Sequence, residues 1–474
     1  MNIPILSGIY ADVSPDFRTS YPINMVPVSK SSGVSEGYLR PAEGIKEITL
    51  TGDAINGPSR GAIYWNDKIY AMMGGELVSI DENYVVDVVG ELSGTNRVRF
   101  TYGFNYLAFQ ANNNLYVLEN TTNAPIETVN VGTSQNKILD VVWIDGYFMF
   151  TDGENLIVTD LNDPTVVNPL QYGSSESDPD PIIALQTIRN EVYALNRYTI
   201  EVFSNRGGEG FPFVRNAGAK IEKGCIGTHA NCVFMQKIAF IGGGYNESPS
   251  IYLGLNGQTE KISSREIDLI LQEYTEAELA SAFLQEKIEN GQNHLIVHLP
   301  RHTFVFDEAT SRQFQRKVWF QLSTSIKGEG KWKADTVIRA YDRWYTFHPD
   351  IAKVGYLTRL DSLHWGDTTG WKFGTIILYN EAKGLLFHRL ELIGLTGSTI
   401  FGKDPVIWTQ YSEDGVSWSN EKYIYAGQWG DRKKRMVWFR QGKMEKRRMQ
   451  RFRGTSDAHV AISALDARIE VLQR

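Results

Sequence analysis

Short apolar runs, each broken by a polar tight turn, recur along most of this chain and constrain its fold more than any other feature. Segments of this kind begin near residues 60, 99, 139, 182, 231, 293 and 334. Their turns have the chemistry of two-residue β-hairpins, as in Asn66-Asp67, Asp145-Gly146 and Asn256-Gly257. Each segment therefore predicts a strand, a tight turn, a second strand, a looser turn and a third strand.

The spacing of these segments predicts how the hairpins are arranged. Offsets of roughly 40 to 60 residues match the length of one four-stranded propeller blade. A single blade cannot bury both of its faces, whereas radial stacking of blades buries them all. We predict an all-β protein with a β-propeller body of about six or seven blades. A β-sandwich pair is the competing architecture.

The pattern changes at two places and so predicts three regions. Residues 1–50 carry five prolines and little periodicity, which predicts an extended N-terminal arm that clasps other surfaces. Residues 51–369 form the propeller-like body, with a helical insertion at 263–290 in which Thr275 and Glu278 make a capping box. Residues 370–474 read as long antiparallel strands and predict a C-terminal β-rich, sandwich-like domain.

Several classes of protein are disfavoured by composition. The N-terminal sequence MNIPILSGIYADVSPDF has no basic region and no long apolar run, which predicts no signal peptide. No run of about 18 apolar residues is present, so we predict no membrane insertion. The net charge of −7 argues against a protein that grips polyanions over its whole surface.

Three histidines in NHLIVHLPRHTFVFD, at 294, 298 and 302, have the spacing of a metal-binding helix face. Pro300 and the neighbouring β-branched residues oppose a helix. On a strand, His294 and His298 would lie about 13 Å apart, too far to share one metal. We therefore predict a structural hairpin that turns at Pro300-Arg301.

The remaining motifs carry no catalytic signature. Cys225, His229 and Cys232 are predicted to be packed thiols beside a histidine, with a partial zinc site as the alternative. YSEDGVSWS, at 411–419, resembles the turn of propeller glycosidases and predicts a turn with a packed Trp418. We predict no metal, no cofactor and no enzyme activity. A propeller glycosidase or capsule depolymerase, and a carbohydrate- or receptor-binding module, are the rival functions.

The strongest charge feature is the segment 430–454, which has eleven Lys or Arg residues against two acids, with aromatic residues between them. On regular strands, Lys434, Met436, Trp438 and Arg440 would share one face. Arg447, Met449 and Arg451 would share another. Such a face can dock an acidic partner, contact DNA or simply be exposed, and we predict docking. The docking candidates are Lys434, Arg440, Arg447, Arg448 and Arg451.

Four segments, taken in order, resemble a known family. YPINMVPVSKSSGVSEGYLRPAEGI near the N-terminus is similar to the start of short-tailed phage tail proteins. KGCIG, EYTEAELASAFLQE and NHLIVHLPRHTFVFD followed by KVWFQL resemble segments of the packaged-DNA stabilisation proteins of Salmonella-type podoviruses. These proteins are also called tail hub or nozzle proteins. The resemblance runs from residue 20 to about residue 322.

The resemblance implies a structural virion protein in the phage tail, assembled in the host cytoplasm. It implies a self-associating ring, expected to be a hexamer, that closes the DNA exit channel after packaging and lets double-stranded DNA pass at ejection. The implied partners are the portal–adaptor protein, the tailspike, and the tail needle or plug. A net acidic chain suits such a channel, because it does not grip the passing phosphates.

Overall fold

The computed structural model describes residues 2–6, 22–30, 37–121, 127–128, 137–175, 177–208, 210–360, 362–380 and 383–472. Contacts between residues divide the chain into two compact units. The body unit comprises Glu47–Lys287 and Lys333–Tyr356, and the sandwich unit comprises Met1–Lys46, Ile288–Trp332 and Leu357–Arg474.

The strands and helices follow one another along the chain with these bounds. The first twenty-one strands are β1 (Asn2–Ile3), β2 (Met25–Ser29), β3 (Gly37–Pro41), β4 (Gly44–Glu47), β5 (Thr51–Gly52), β6 (Ser59–Trp65), β7 (Lys68–Met73), β8 (Glu76–Ile80), β9 (Val85–Glu91), β10 (Arg99–Tyr102), β11 (Tyr106–Ala111), β12 (Asn114–Glu119), β13 (Glu127–Thr128), β14 (Asp140–Ile144), β15 (Tyr147–Thr151), β16 (Asn155–Asp160), β17 (Asp163–Ser174), β18 (Ile182–Ile188), β19 (Glu191–Asn196), β20 (Ile200–Asn205) and β21 (Phe213–Arg215). The remaining elements are β22 (Gly224–Cys225), β23 (Asn231–Phe234), β24 (Lys237–Gly243), β25 (Ser250–Leu255), β26 (Gln258–Lys261), α1 (Arg265–Gln272), α2 (Glu276–Ala280), β27 (Phe283–Glu289), β28 (Gln292–His298), β29 (Thr303–Asp307), α3 (Glu308–Phe314), β30 (Trp319–Leu322), β31 (Val337–Ala340), β32 (Arg343–Phe347), β33 (Val354–Thr358), β34 (Gly370–Gly374), β35 (Leu378–Tyr379), β36 (Leu385–Leu395), β37 (Val406–Ser412), β38 (Lys422–Tyr425), β39 (Met436–Phe439), β40 (Lys443–Met444), β41 (Arg447–Thr455) and β42 (Ala461–Val471).

The body unit is built from small sheets whose strands follow chain order. Within the described residues these sheets are β5–β9, β10–β13, β14–β17, β18–β21, β22–β26 and β31–β33. Apart from β5, which runs parallel to β9, the paired strands are antiparallel. The opening strands β6, β10, β14 and β18 of successive sheets adjoin one another. This repetition is the blade pattern of a propeller and confirms the predicted fold class.

The predicted hairpin turns are confirmed. Asn66, Asp67, Asp145 and Asn256 all have positive φ angles, between 46° and 56°. The adjoining glycines Gly146 and Gly257 also have positive φ. Positive φ at both central residues is the conformation whose twist matches that of the flanking strands. Local turn chemistry therefore fixes the register of these sheets.

The helical insertion is shorter than predicted. The Thr275–Glu278 capping box is present at the start of α2, and Ser264 caps α1. However, the predicted helix to residue 290 is wrong, because residues from Phe283 form strand β27. The Gln285 side chain accepts a hydrogen bond from Val337 N and donates one to Asp335 O. These bonds to the neighbouring backbone outweigh the helical propensity of LQEK.

In the sandwich unit, two sheets share one apolar core. One has the order β2-β3-β42-β36-β39, with β1 on β42 and β40 on β36. The other has the order β34-β41-β37-β38, with β35 on β41. Both sheets contribute buried side chains to a common cluster, including Phe387 and Ile462 from the first and Phe373 and Phe452 from the second. This arrangement confirms the predicted C-terminal sandwich.

The predicted N-terminal arm falls partly outside the described residues, namely at 1, 7–21 and 31–36. Its described parts up to residue 46 belong to the sandwich unit and include strands β1, β2 and β3 rather than an extended tail. Ile3, Ile5, Leu6 and Met25 are buried in the sandwich core. The Asn24 side chain donates to the carbonyls of Ser323 and Gly370, each at 2.7 Å. These residues therefore stabilise the sandwich itself.

The histidine hairpin is confirmed as β28 paired with β29, with Ile296 opposite Val305. His294 lies 3.6 Å from the Asp307 carboxylate, and the His298 ring stacks parallel to Trp332 with centroids 6.1 Å apart. Asp307 also caps α3 by accepting a hydrogen bond from Thr310 N. The two histidines thus contact different neighbours.

In the body unit, Cys225 is buried and Cys232 half-buried, and both are free thiols. Burial raises the pKa of Cys225 to about 11 and also raises that of Cys232. Within the described residues, no group of three or more His, Cys, Asp or Glu side chains is placed to hold a metal ion. No described helix is both long enough and apolar enough to cross a membrane.

Candidate functional site

The basic segment supplies the central strand of one sheet of the sandwich. Strand β41 lies between β34 and β37, with Arg453 opposite both Lys372 and Trp408, and Arg451 opposite Gln410. Alternate residues of a strand point to opposite faces. Phe452 therefore enters the core, where it stacks on Phe373 with centroids 5.2 Å apart. Arg451 and Arg453 consequently lie on the other face.

On that outer face each arginine is stacked on a tryptophan. The Arg451 guanidinium lies 3.9 Å from the centre of the Trp418 ring, and Arg453 lies 4.3 Å from that of Trp408. Arg451 also donates to Gln410 Oε1 at 2.6 Å. Stacking on an aromatic face fixes the guanidinium while leaving some of its N–H donors available. We call Lys372, Trp408, Trp418, Arg451 and Arg453 the cation–aromatic face.

The cations of this face repel one another. Burial lowers the pKa of Lys372, and the charges of Arg451 and Arg453 lower it further. Burial also lowers the pKa of Arg451, again with a contribution from Arg453. The main counter-charge is Glu421, which accepts two hydrogen bonds from Arg453 at 2.6 and 2.5 Å. The charge of Glu329 acts on Lys372, so three cations face two carboxylates, and an additional anion would be attracted to the face.

Of the predicted docking residues, Arg447 and Arg451 lie on the outer side of β41. Arg447 is half-buried, and its Nε donates to the Glu413 carbonyl at 2.9 Å. The two side chains have the same orientation along the strand because they are separated by four residues. Arg447 therefore extends the cation–aromatic face along β41.

The prediction that Arg448 is a docking residue is wrong, because its side chain is fully buried in the sandwich. It donates to Gln441 O at 2.8 Å and to Gln450 Oε1 at 3.1 and 2.8 Å. Its guanidinium lies 4.4 Å from the Phe387 ring centre and 3.9 Å from that of Tyr411. Burial lowers its pKa to about 10. Arg448 is thus part of the interior and cannot belong to a docking surface.

Lys434 and Arg440 are exposed, but they do not share a face with Met436 and Trp438 as predicted. Strand β39 has only four residues, and both cations lie beyond its ends. Met436 and Trp438 are buried in the sandwich core, so the face that they share is an interior one. A charged residue could not occupy that face without a costly loss of hydration.

The sequence reasoning missed Lys372, Trp408, Gln410 and Glu421. A signal for two of them was present in VIWTQYS, because period-2 alternation places Trp408 and Gln410 on one face of a strand. Trp418 was interpreted only as the packed aromatic residue of a turn. That turn is confirmed, since Asp414 accepts hydrogen bonds from the backbone N–H groups of Val416 and Ser417. However, the Trp418 ring of this turn also stacks against the Arg451 guanidinium.

Comparisons with known protein families agree with a propeller-like body and a sandwich. A model of the family described as "Bacteriophage P22 Gp10, beta-propeller" matches residues 1–361, and one described as "Bacteriophage P22 Gp10, beta-sandwich" matches residues 370–470. The tail hub protein gp10 of Salmonella phage P22 is 26% identical over 491 residues, covering 99% of each chain.

Solved structures match this chain only with low TM-scores. The N-terminal domain of Nup159 is 9% identical with a TM-score of 0.41, covering 71% of this chain and 98% of that domain. The Pan2 WD40 domain of Neurospora crassa is 9% identical with a TM-score of 0.41, covering 64% of this chain and 90% of that domain.

Proposed function

Because this chain belongs to the Bacteriophage P22 Gp10 family, we propose that it is a structural tail hub protein of a phage virion. The observation that carries the proposal is the relationship to the P22 tail hub protein, which extends over 99% of both chains. A match over one shared propeller would support only a common fold. Here both modules are present and occur in the same order.

The finer proposal concerns assembly. The protein forms a ring, expected to be a hexamer, below the portal and its adaptor. The ring closes the DNA exit after packaging, carries the tailspikes and the tail needle or plug, and lets DNA pass at ejection. The net charge of −7 supports this role, since a net acidic chain repels the phosphate backbone and does not grip it. Its role is structural rather than enzymatic.

Assembly can be tested directly. Purified protein is mixed with DNA-filled heads that carry the portal and adaptor, and the particles are examined by negative-stain electron microscopy. We expect a ring of added density at the portal vertex and longer retention of the packaged DNA. Heads that gain no density and lose DNA at an unchanged rate would contradict the proposal.

We further propose that the cation–aromatic face, extended by Arg447, docks on an acidic viral partner, either the adaptor or the tailspike. Three closely spaced cations, with only Glu421 and Glu329 as nearby acids in the described part of the face, favour an anionic surface. The planar guanidinium groups, held on tryptophans, suit bidentate contacts with carboxylates. Lys434 and Arg440 remain candidates for the same partner as exposed cations outside the face.

The docking proposal is tested with Arg451→Glu combined with Arg453→Glu. Co-sedimentation with adaptor-bearing heads, and separately with tailspike, is measured across salt concentrations. We expect weaker association and a shallower salt dependence than for the wild type. Arg432→Glu combined with Lys433→Glu is the matched control, because it makes the same charge change at exposed residues of the same basic segment.

An equal loss of association in both double variants would show that binding depends only on the net charge of the protein. Unchanged binding to both partners, together with lost affinity for duplex DNA, would instead support DNA contact by this face.

A further inference from the structure

The body unit contains an open cavity of about 390 Å³ among the opening strands of its sheets. The cavity is lined by Ile63, Phe100, Thr101, Tyr102, Gly103, Phe104, Trp143 and Thr187. Ile63 comes from β6, Phe100 from β10, Trp143 from β14 and Thr187 from β18. Strands of four successive sheets therefore line the cavity. Its volume lies within the range of roughly 300–1,000 Å³ that is typical of small-molecule sites.

The rings in this cavity present their surfaces to solvent. Tyr102, the last residue of β10, is 51% exposed, and Phe104, in the connection between β10 and β11, is 81% exposed. Phe104 is held edge-to-face against Trp143, with centroids 5.8 Å apart. A Cβ atom on Gly103 would lie 2.7 Å from Trp143 Nε1, so glycine at this position gives the indole its room. The aromatic surfaces are thus positioned by the fold.

Polar groups without a partner surround these rings. The backbone N–H of Trp143 donates to Thr101 Oγ1 at 3.1 Å, whereas its indole N–H has no hydrogen-bond partner among the described residues. The hydroxyls of Tyr102 and Thr187, which also line the cavity, have no hydrogen-bond partner within the part of the chain that the structure describes. The cavity therefore offers ring faces together with a donor and two hydroxyl groups that a ligand can bind.

Charge narrows the class of ligand. None of the described lining residues is ionisable at neutral pH. The adjoining cavity of about 160 Å³, which shares Ile63 and Phe100, contains Arg97 and Arg99. Each of these is paired with a buried carboxylate, Arg97 with Asp335 at 2.7 Å and Arg99 with Asp140 at 3.0 Å. No unpaired charge at the site would attract a phosphate or a carboxylate.

We propose that this cavity is a binding site for a neutral saccharide. A sugar ring has a face of C–H groups that stacks on the electron-rich face of an aromatic ring. It also carries hydroxyl groups that can pair with the indole N–H and the Tyr102 and Thr187 hydroxyls. The arrangement gives the protein a glycan contact that is separate from its role in closing the tail.

The test uses saturation-transfer NMR on the full-length protein with methyl α-glucoside, methyl α-galactoside and methyl α-mannoside as separate probes. We expect transfer to at least one glycoside. Phe104→Ala combined with Tyr102→Ala should weaken its affinity by about tenfold, because a ring contact contributes of that order. Phe401→Ala is the matched control, since Phe401 is 86% exposed in the sandwich unit and its loss should change nothing.

A second variant, Trp143→Phe, keeps a ring but removes the indole N–H, and should weaken the same glycoside while circular dichroism shows an unchanged fold. The proposal is overturned if none of the glycosides shows transfer, or if transfer is equal in wild type and the double variant. It is also overturned if a hexaproline peptide binds in a Phe104-dependent manner and the glycosides do not, since this would identify a peptide groove.

Discussion

Arginines in the two units are used in opposite ways. In the body unit, Arg97 and Arg99 each face a carboxylate that is at least nine-tenths buried, and their charges are neutralised inside the protein. In the sandwich unit, Arg451 and Arg453 stack on tryptophans beside Lys372, with Glu421 as the main bound counter-charge. The first arrangement keeps the charges paired inside the fold, whereas we propose that the second leaves positive charge for a partner. The two sets of arginines differ in how far neighbouring carboxylates neutralise their charge, and not in the number of basic residues.

The contrast between the two units is tested most strongly by removing the carboxylate that pairs with Arg99 in the body unit. Asp140 is fully buried, pairs with Arg99 and accepts N–H groups from Val141 and Leu185. Asp140→Ala would remove the carboxylate that neutralises Arg99 and should lower the free energy of unfolding by about 3–5 kcal/mol. Urea denaturation measures the change. Asp87→Ala, which removes an exposed partner of Lys68, is the control and should cost less than about 1 kcal/mol.

Arg448 tests the same contrast within the sandwich, because it is an interior cation without a carboxylate partner in direct contact. Arg448→Ala would remove its hydrogen bonds to Gln441 and Gln450 and leave a cavity between two rings. We expect a loss of about 2–4 kcal/mol, measured by urea denaturation. Arg447→Ala, one residue earlier and half-buried, should cost about 1 kcal/mol or less. Equal losses would mean that the burial of Arg448 does not matter.

A pH titration sharpens the description of the body unit. Burial, aided by the charges of Arg99 and Arg97, holds the pKa of His229 well below its ordinary value. The unfolded chain therefore binds a proton near pH 6.5 while the folded chain does not. Stability should fall as the pH drops below about 6.5, by up to about 1.4 kcal/mol per pH unit for this group. Melting temperatures at pH 7.5 and 5.5 should differ less for His229→Gln than for the wild type.

The smallest effect is expected on the cation–aromatic face itself. Arg453 and Glu421 are both partly exposed, so water screens their ion pair. Arg453→Gln should lower the free energy of unfolding by less than about 1 kcal/mol, as judged by urea denaturation. Glu421→Gln should cost as little and should strengthen docking to an acidic partner. A large loss of stability in either variant would show that this face is structural.

Turn chemistry and alternation were enough to predict the blades and the sandwich, because both depend on local rules. Asn66-Asp67 and Asn256-Gly257 specify their hairpins without help from distant residues. The site was predicted less well. Strand alternation places Arg448 inside and Arg451 outside, but the sequence does not show which face meets the core. Trp418 and Lys372 reach the site only through tertiary pairing, so no local pattern in the basic segment pointed to them.

Strands β1 and β3 of the sandwich both pair with its last strand, β42, with Asn2 opposite Asp466 and Leu39 opposite Ile462. On the ribosome, the residues that supply these first strands emerge long before the strand that pairs with them exists. Their apolar side chains, such as Ile3 and Leu39, must wait for almost the whole chain to be synthesised. During that interval they are open to wrong pairings, including pairings with another nascent copy. Synthesis at lower temperature, or with chaperones in excess, should therefore raise the yield of native protein.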